Sequence, residues 1–515
     1  MTHRRLVAVL LFLVASTVWA DAPGVTAITG GTLHPVSGPV IPNGTLVIRQ
    51  GLVEAIGANV SIPPDAAIID VKGAHVYPGL IDAQTSLGFT APKSTDASAE
   101  PTPDTMAIRN VKISDDDADA RRATGVTTIV TAPSFGIFNG QSVMLNLGSG
   151  AAESNAIRNP VALQIAFNPR PTWTYPDSLM GVIAFLRQNF LDAQQHAAAR
   201  DVYERTPAGL RRPQDDPALE ALRPVLRREL PVVFIADSAQ MMRRAQALAR
   251  ELNVRYVLSG ARQGYAMANE LKDVPVLVSV KWPVAPTDKD DREDQPLRVI
   301  RERQLAPTTP AVLAKSGVTF ALVSGAGKTG DFLPGIRKAV ENGLSADDAL
   351  RATTLAPARI FGVERQLGTL ERGKIANVIV SDKPLFEKDA KVTRVFVDGR
   401  EVRLPKEEKP AETAASPING TWALTVRAPQ GSASIQVTLS VEDGQLTGTY
   451  SGDRGSGNIR SGTFEGSAFA FTITANAENA ESTDWAFRGT LTGDTMAGSV
   501  STNLGTFEFS GSKSK

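Results

Sequence analysis

The sequence predicts an α/β domain bracketed by β-structure, with a separate all-β domain behind it. Three observations carry that prediction. Between about Leu80 and Gly362, apolar runs rich in Val and Ile alternate with helical text, as in GVTTIVTAP, PVVFIAD, QMMRRAQALARELN, VRYVLSG, PVLVSVKW and VTFALVSG. Strands that read as continuously apolar and alternate with helices belong to a largely parallel sheet buried on both faces. On either side of this region lie short strands punctuated by turns, and the leading and trailing β-segments can pair into one subdomain. Past Pro417 come about eight short alternating segments, spaced as in an up-and-down barrel or a sandwich.

Length and composition agree. At 515 residues the chain exceeds one ordinary core, and 42% hydrophobic with 21% charged residues is globular. Lys+Arg and Asp+Glu both number 54, so no charge excess argues for nucleic acid or an anionic membrane. Cysteine is absent, which excludes disulfides and thiolate chemistry.

The elements follow in order. Arg4 and Arg5 precede an apolar run from Leu6 to Val14, and Val18-Trp19-Ala20 supplies a small-x-small pattern ahead of Asp21. Residues 1–20 therefore read as a secretory signal peptide. The run is short for a membrane span and polar text follows, so the expectation is a periplasmic or secreted protein with no span after signal cleavage. VTAITGGTLHPV, GTLVIRQGLVEAIG and AAIIDVKGAHVYPG make a hairpin-rich unit over 21–76. LGTLERGKIANVIVSDKPL and KVTRVFVDGREV, within 367–404, are its expected partner. Residues 77–366 form the β/α region between them. PKEEKPAETAASP, 405–417, is a charged, Pro/Ala-rich linker with nothing to bury.

In 418–515, TWALTV, SIQVTLSV, LTGTYS, FAFTIT, WAFRGTL and GTFEFSG are separated by turns such as EDGQ, DRGSGN and TGDT. Gly420-Thr421-Trp422 resembles the opening of lipocalin-like barrels. Trp422, Phe471 and Phe507 are expected in the core, because a small barrel fills its interior with side chains.

VYPGLIDAQTSLG resembles the first barrel strand of the amidohydrolase superfamily, whose pattern reads P-G-hydrophobic-hydrophobic-D-x-H-x-H. LSADDALRATTLAPARIFGVERQLGTLERGKIANVIVSD resembles that superfamily's ending. The resemblance spans roughly 25–403. It implies a TIM-like (β/α)8 barrel with a composite β-sandwich from both chain ends, similar to imidazolonepropionase-like exported amidohydrolases. It further implies hydrolysis of carbon–nitrogen bonds other than peptide bonds, with zinc or another divalent metal.

At the metal positions the sequence departs from that pattern. Residues i and i+2 of a strand share a face, so His-x-His at a barrel strand's C-terminal end aims two imidazoles at one ion, which then activates a water. Here those positions are Gln84 and Ser86, whose neutral oxygens are poor zinc ligands. The expected fifth-strand ligand position is Ile235, the sixth-strand position is Ser259, and the eighth-strand aspartate falls on Gly325, after Ser324. Where some relatives place a metal-bridging lysine on the fourth strand, the nearest basic residue is Arg158. Of the four histidines, His3 leaves with the signal, and His34, His75 and His196 stand at no recognisable barrel-strand end. No metal cofactor is expected.

Other chemistry has three candidates: Asp237 after the fifth strand, Lys281 ending PVLVSVKW, and Asp331 in SGAGKTGDFL. A lysine desolvated at a barrel mouth is the residue type for a base or Schiff-base nucleophile, against the plainer reading of a solvated or salt-bridged side chain. For the aspartates the plainer reading is a helix N-cap or loop carboxylate. Gly327-Lys328-Thr329 resembles the end of a phosphate loop, but the required earlier glycine is Leu322 and the pattern fails.

Three readings of function stand open. One is a degenerate amidohydrolase kept as a binding or partner subunit, with a small-molecule ligand and either a paralogous amidohydrolase subunit or a second copy as partner. Another is an active hydrolase of linear or cyclic amides with an altered site. The third is a binding protein acting through its C-terminal β-domain.

Overall fold

The computed structural model describes residues 24–89, 102–170, 174–286, 295–325, 331–402 and 404. It further describes 416–514 apart from 429–430, 443–444, 453–454, 460, 478–479 and 503–504. The signal-peptide segment 1–20, most of the linker 405–417 and the Gly327-Lys328-Thr329 stretch lie outside the described residues. The chain divides into two units, Met1–Pro405 and Lys406–Lys515. Among the described residues, no helix is long and apolar enough to cross a membrane.

In the first unit, β1 (Val25–Leu33), β2 (Ile41–Arg49), β3 (Leu52–Gly57), β4 (Ala66–Asp70) and β5 (His75–Pro78) come from the leading β-text. The trailing text supplies β16 (Val378–Ser381), β17 (Val392–Val397) and β18 (Arg400–Val402). All eight form one hydrogen-bonded sheet, ordered β18-β17-β16-β5-β1-β2-β3 with β4 beside β1. The seam between the chain ends is the antiparallel pairing of β16 with β5, Val378 facing Pro78 and Ser381 facing His75. β1 changes partner midway: Val25–Thr29 runs parallel to β4, and Thr32–Leu33 parallel to β5. A further bridge, Leu52 to Ile375, curls the β3 edge back toward the start of β16. Ile28, Leu33, Leu46, Ile48, Val76, Val378 and Phe396 are buried in the resulting core. Each such side chain contributes roughly 1.5–3 kcal/mol by leaving water.

Between these segments run β6 (Leu80–Thr85), β7 (Val126–Thr131), β8 (Phe138–Gln141), β9 (Val143–Asn146), β10 (Ala156–Arg158), β11 (Leu163–Ala166), β12 (Val232–Ala236), β13 (Tyr256–Gly260), β14 (Val276–Ser279) and β15 (Phe320–Val323). β11 to β15 pair in parallel succession, and β6 is parallel to β7. β8 and β9, separated only by Ser142, run antiparallel to β11 and β7 respectively. The sheets are therefore mixed where the sequence predicted parallel strands. The reason is the short connection from Thr131 to Phe138, since a parallel return needs a crossover of a dozen or more residues. A parallel bridge from Thr85 to Gly325 links the first strand to the segment after β15, and the Gly325 N–H donates to the Gln84 carbonyl at 2.9 Å.

The strands read as continuously apolar because both of their faces are covered. Val232 and Phe234 of β12 pack with Met242 and Ala245, while Val233 between them joins Ile81, Val130, Val257, Leu277 and Ala321 on the opposite face. The helices that cover the outside include α1 (Asp115–Ala123), α2 (Leu179–Arg205), α3 (Pro217–Leu226) and α4 (Ala239–Glu251). Ser114, Ser178, Asp216 and Ser238 each cap one of them, accepting hydrogen bonds from N–H groups of the first turn.

The second unit holds β19 (Gly420–Ala428), β20 (Gly431–Glu442), β21 (Gln445–Gly452), β22 (Gly455–Asn458), β23 (Ser461–Glu465), β24 (Ala468–Ala477), β25 (Ala480–Thr492), β26 (Thr495–Thr502) and β27 (Gly505–Lys513). Eight of these, all but β22, close an antiparallel ring through the pairings of β20 with β21 and of β19 with β27. Closure into a barrel, not a sandwich, removes the exposed strand edges. Trp422, Leu424, Phe469, Phe471, Phe487 and Phe509 are buried together inside, whereas Phe507 is only partly buried beside them. The Trp422 indole donates to the Ile418 carbonyl at 2.7 Å, and the Lys513 ammonium lies 5.4 Å from its ring centre.

Candidate functional site

The C-terminal ends of β6, β12, β13 and β14 open onto a cavity of about 290 Å³. Gln84, Ser86, Ile235, Ser259 and Gly325 all line it, so the four positions matched to metal ligands and the one matched to the catalytic aspartate meet in one place. Asp237 and Lys281 line it as well. Asp331 does not: it is exposed at the start of a helix over Phe332–Glu341, and its side chain makes no capping hydrogen bond. Arg158 lies on β10, away from the cavity, and donates to the Phe361 carbonyl at 2.6 Å.

A slip in β6 explains how Gln84 reaches the cavity. From Asp82 to Thr85 is three residues, but their partners Ile129 and Thr131 are two apart, which marks a β-bulge. The bulge interrupts strict alternation. Gln84, Thr85 and Ser86 line the cavity, while the Asp82 carboxylate and the Thr85 hydroxyl both meet the Arg121 guanidinium of α1, at 3.2 and 3.4 Å.

That second group was not singled out in the sequence. Asp82 is fully buried; one carboxylate oxygen accepts from the Ser324 hydroxyl at 2.5 Å and the other from the Ser324 N–H at 3.0 Å. Burial pushes the Asp82 carboxyl above its usual range, against the opposing pull of Arg121 and Ser324. Its only local sign was the aspartate of PGLIDA; the partners lie 39 and 242 residues away.

The cavity walls combine small polar side chains with apolar surface from Ala166, Ile235 and Val323. Ser134, Asn168, Ser279 and Arg262, none of them picked from the sequence, line it too, with Gly260. Asp237 is half-exposed and ion-paired with Arg262 at 3.0 Å. Gly260 permits that placement, because at φ +94° a Cβ would stand 2.4 Å from the Asp237 Oδ1. Lys281 is exposed, and its N–H donates to the Ser279 hydroxyl at 3.3 Å. The Gln84 Oε1 is buried without a hydrogen-bond partner among the described residues.

The residues present do not fit the zinc that the resemblance implies. Zinc takes imidazole nitrogen, thiolate or carboxylate oxygen, whereas the lining offers neutral hydroxyls and amides, two cations, and one carboxylate already bound to an arginine. Among the described residues, no group of three or more His, Asp or Glu side chains stands close enough to share an ion. The position matched to the catalytic aspartate, Gly325, has φ +61°, and a Cβ there would press on the Ser279 hydroxyl at 3.2 Å. The backbone at that point takes the left-handed conformation that favours glycine over an aspartate.

The histidines are elsewhere. His34 Nε2 and His75 Nδ1 are 3.0 Å apart at the β1–β5 junction, and the His34 ring stacks on Tyr77 at 4.2 Å. His196, on α2, is 2.8 Å from the Gln214 carbonyl and 3.4 Å from Glu220.

Comparison with known proteins matches this architecture. Residues 296–402 fit the model of the amidohydrolase family. The chain is 24% identical over 396 residues to an imidazolonepropionase of Symbiobacterium thermophilum, a match covering 67% of this chain and 85% of that one. A solved amidohydrolase structure from Thermotoga maritima has the same fold, at TM-score 0.64 and 24% identity, over 74% of this chain and 100% of its own. The resemblance is to the amidohydrolase superfamily. A shorter match, 27% identical over 192 residues, is to an adenine deaminase of Moorella thermoacetica and covers 28% and 31% of the two chains. The C-terminal barrel lies beyond the residues that fit the family model.

Proposed function

We propose that this amidohydrolase-superfamily chain is a degenerate member: a TIM-like barrel, built on β6, β7, β8–β9 and β11–β15, that binds a small molecule without a metal and acts as a binding or partner subunit. One observation carries the reading. Five strand-end positions that would hold ligands and a catalytic acid meet in one cavity as Gln84, Ser86, Ile235, Ser259 and Gly325. Since the geometry is kept and the donors are replaced together, the pocket retains a use for which metal is unnecessary. The pattern of residues 1–20 supports export to the periplasm or beyond.

Elemental analysis of the purified full-length chain tests this directly. The expected content of zinc, iron and manganese is far below one ion per chain; stoichiometric metal that survives dialysis sinks the reading.

A metal-free hydrolase is the second reading, favoured by the presence of Asp237 and Lys281 in the same lining. Neither is in a state suited to it. Asp237 is committed to Arg262, and the exposure of Lys281 withholds the desolvation that activates a lysine nucleophile.

A further inference from the structure

We infer that the cavity takes a small organic monocarboxylate that also carries an N–H or O–H donor, of the size of an acylated glycine or a short hydroxy acid. This rests on the metal-free binding reading and names the ligand class for that same cavity. The charge balance supplies the first argument. Asp237 and Arg262 neutralise each other at 3.0 Å, which leaves Lys281 as the unbalanced cation of the lining, with no ionic partner among the described residues. One excess positive charge matches one carboxylate, whereas a phosphate near neutral pH carries more charge and is usually met by several cations or a nest of backbone N–H groups.

The second argument comes from the opposite end of the polarity scale. Gln84 has a buried Oε1 that no donor among the described residues reaches. A buried acceptor left unmade costs about 1–3 kcal/mol, so a site of this kind is completed by a donor from its ligand.

Between these poles, Ser86, Ser134, Ser259 and Ser279 present hydroxyls that donate or accept as the ligand requires. Their small volume clears the space that imidazole rings would fill. At about 290 Å³ the cavity stands at the small end of ligand sites, which excludes a long peptide or a glycan chain. Lys281 is positioned by its own turn, since its N–H donates to Ser279 on the cavity wall.

Calorimetric titration of the full-length, metal-analysed protein with N-acetylglycine, lactate and the neutral N-acetylglycinamide is the test. At least one carboxylate is expected to bind, more weakly as salt rises, and at least about tenfold tighter than the neutral amide. Lys281→Met is expected to remove that preference at an unchanged melting temperature, with Lys281→Arg retaining most of it. Binding of neither carboxylate, or equal binding of acid and amide, overturns the inference while leaving the metal-free reading intact. Binding that disappears on chelation and returns with zinc overturns both.

Discussion

At the residue scale, two histidines away from the cavity, His34 and His75, carry a structural burden. His34 and His75 share a hydrogen bond where β1 passes from one partner strand to the next. Burial, then the neighbouring His75, holds the His34 imidazole down to about 4, against an opposing pull from Asp347. Burial lowers His75 as well, opposed by Glu387. Because the folded pair resists protons that the unfolded chain accepts below its ordinary value of about 6.5, stability is expected to fall as pH drops from about 6.5 toward 4. Urea denaturation at pH 7 and pH 5 checks this. A His34→Phe, His75→Phe double variant should show a smaller drop between those two conditions, and an identical drop would refute the role. His34 and His75 were visible from the start as residues away from strand ends; their mutual contact was not, because it joins positions 41 residues apart.

At the element scale, the join between β6 and the end of β15 depends on the buried Asp82. Its carboxylate binds both the N–H and the hydroxyl of Ser324, and Arg121 of α1 supplies the countercharge. Removing one member of a buried pair strands the other without water, at a cost of roughly 3–5 kcal/mol. Asp82→Ala is therefore expected to lower unfolding free energy by about that amount, and Ser324→Ala by about 1–2 kcal/mol through a lost hydrogen bond and a partly unsatisfied carboxylate. Chemical denaturation checks both. A near-neutral Asp82→Ala would refute the account. The sequence also left the direction of the β8–β9 strand open to misreading: the apolar text SVMLN looks like any buried strand, and only the six-residue connection before Phe138 hints that it turns back. The bulge that sends Gln84 to the cavity and Asp82 to Arg121 leaves no mark in PGLIDAQTS, because a bulge is a relation between two strands.

At the scale of the whole molecule, the C-terminal barrel has its own core and its own closure. Phe471, Phe487 and Phe509 stack or meet edge-on at 4.8–5.1 Å across its interior. These side chains occupy the space where a ligand of a hollow barrel would sit, so the fill favours a structural or surface role over an internal binding site. A fragment over residues 416–515 is expected to fold alone with a cooperative thermal transition. Phe487→Ala should destabilise it by about 3–5 kcal/mol. An unfolded fragment by circular dichroism, or an unchanged melting point in the variant, would count against this.

Sequence by itself determined the β/α text, the pairing partners at both chain ends, the barrel-like spacing of the last hundred or so residues, and which residue types stand where a metal was expected. Those are properties of local period and of motif order, and they survive without coordinates. Tertiary structure alone decided that Gln84, Ser86, Ile235, Ser259 and Gly325 surround one cavity with Lys281, that Asp331 stays outside it, and that Asp82 is bound to Arg121 and Ser324 behind it. The physical reason is that charge balance, burial and an unmade hydrogen bond are set by neighbours far apart in the chain, and a linear text records the residues but not their distances.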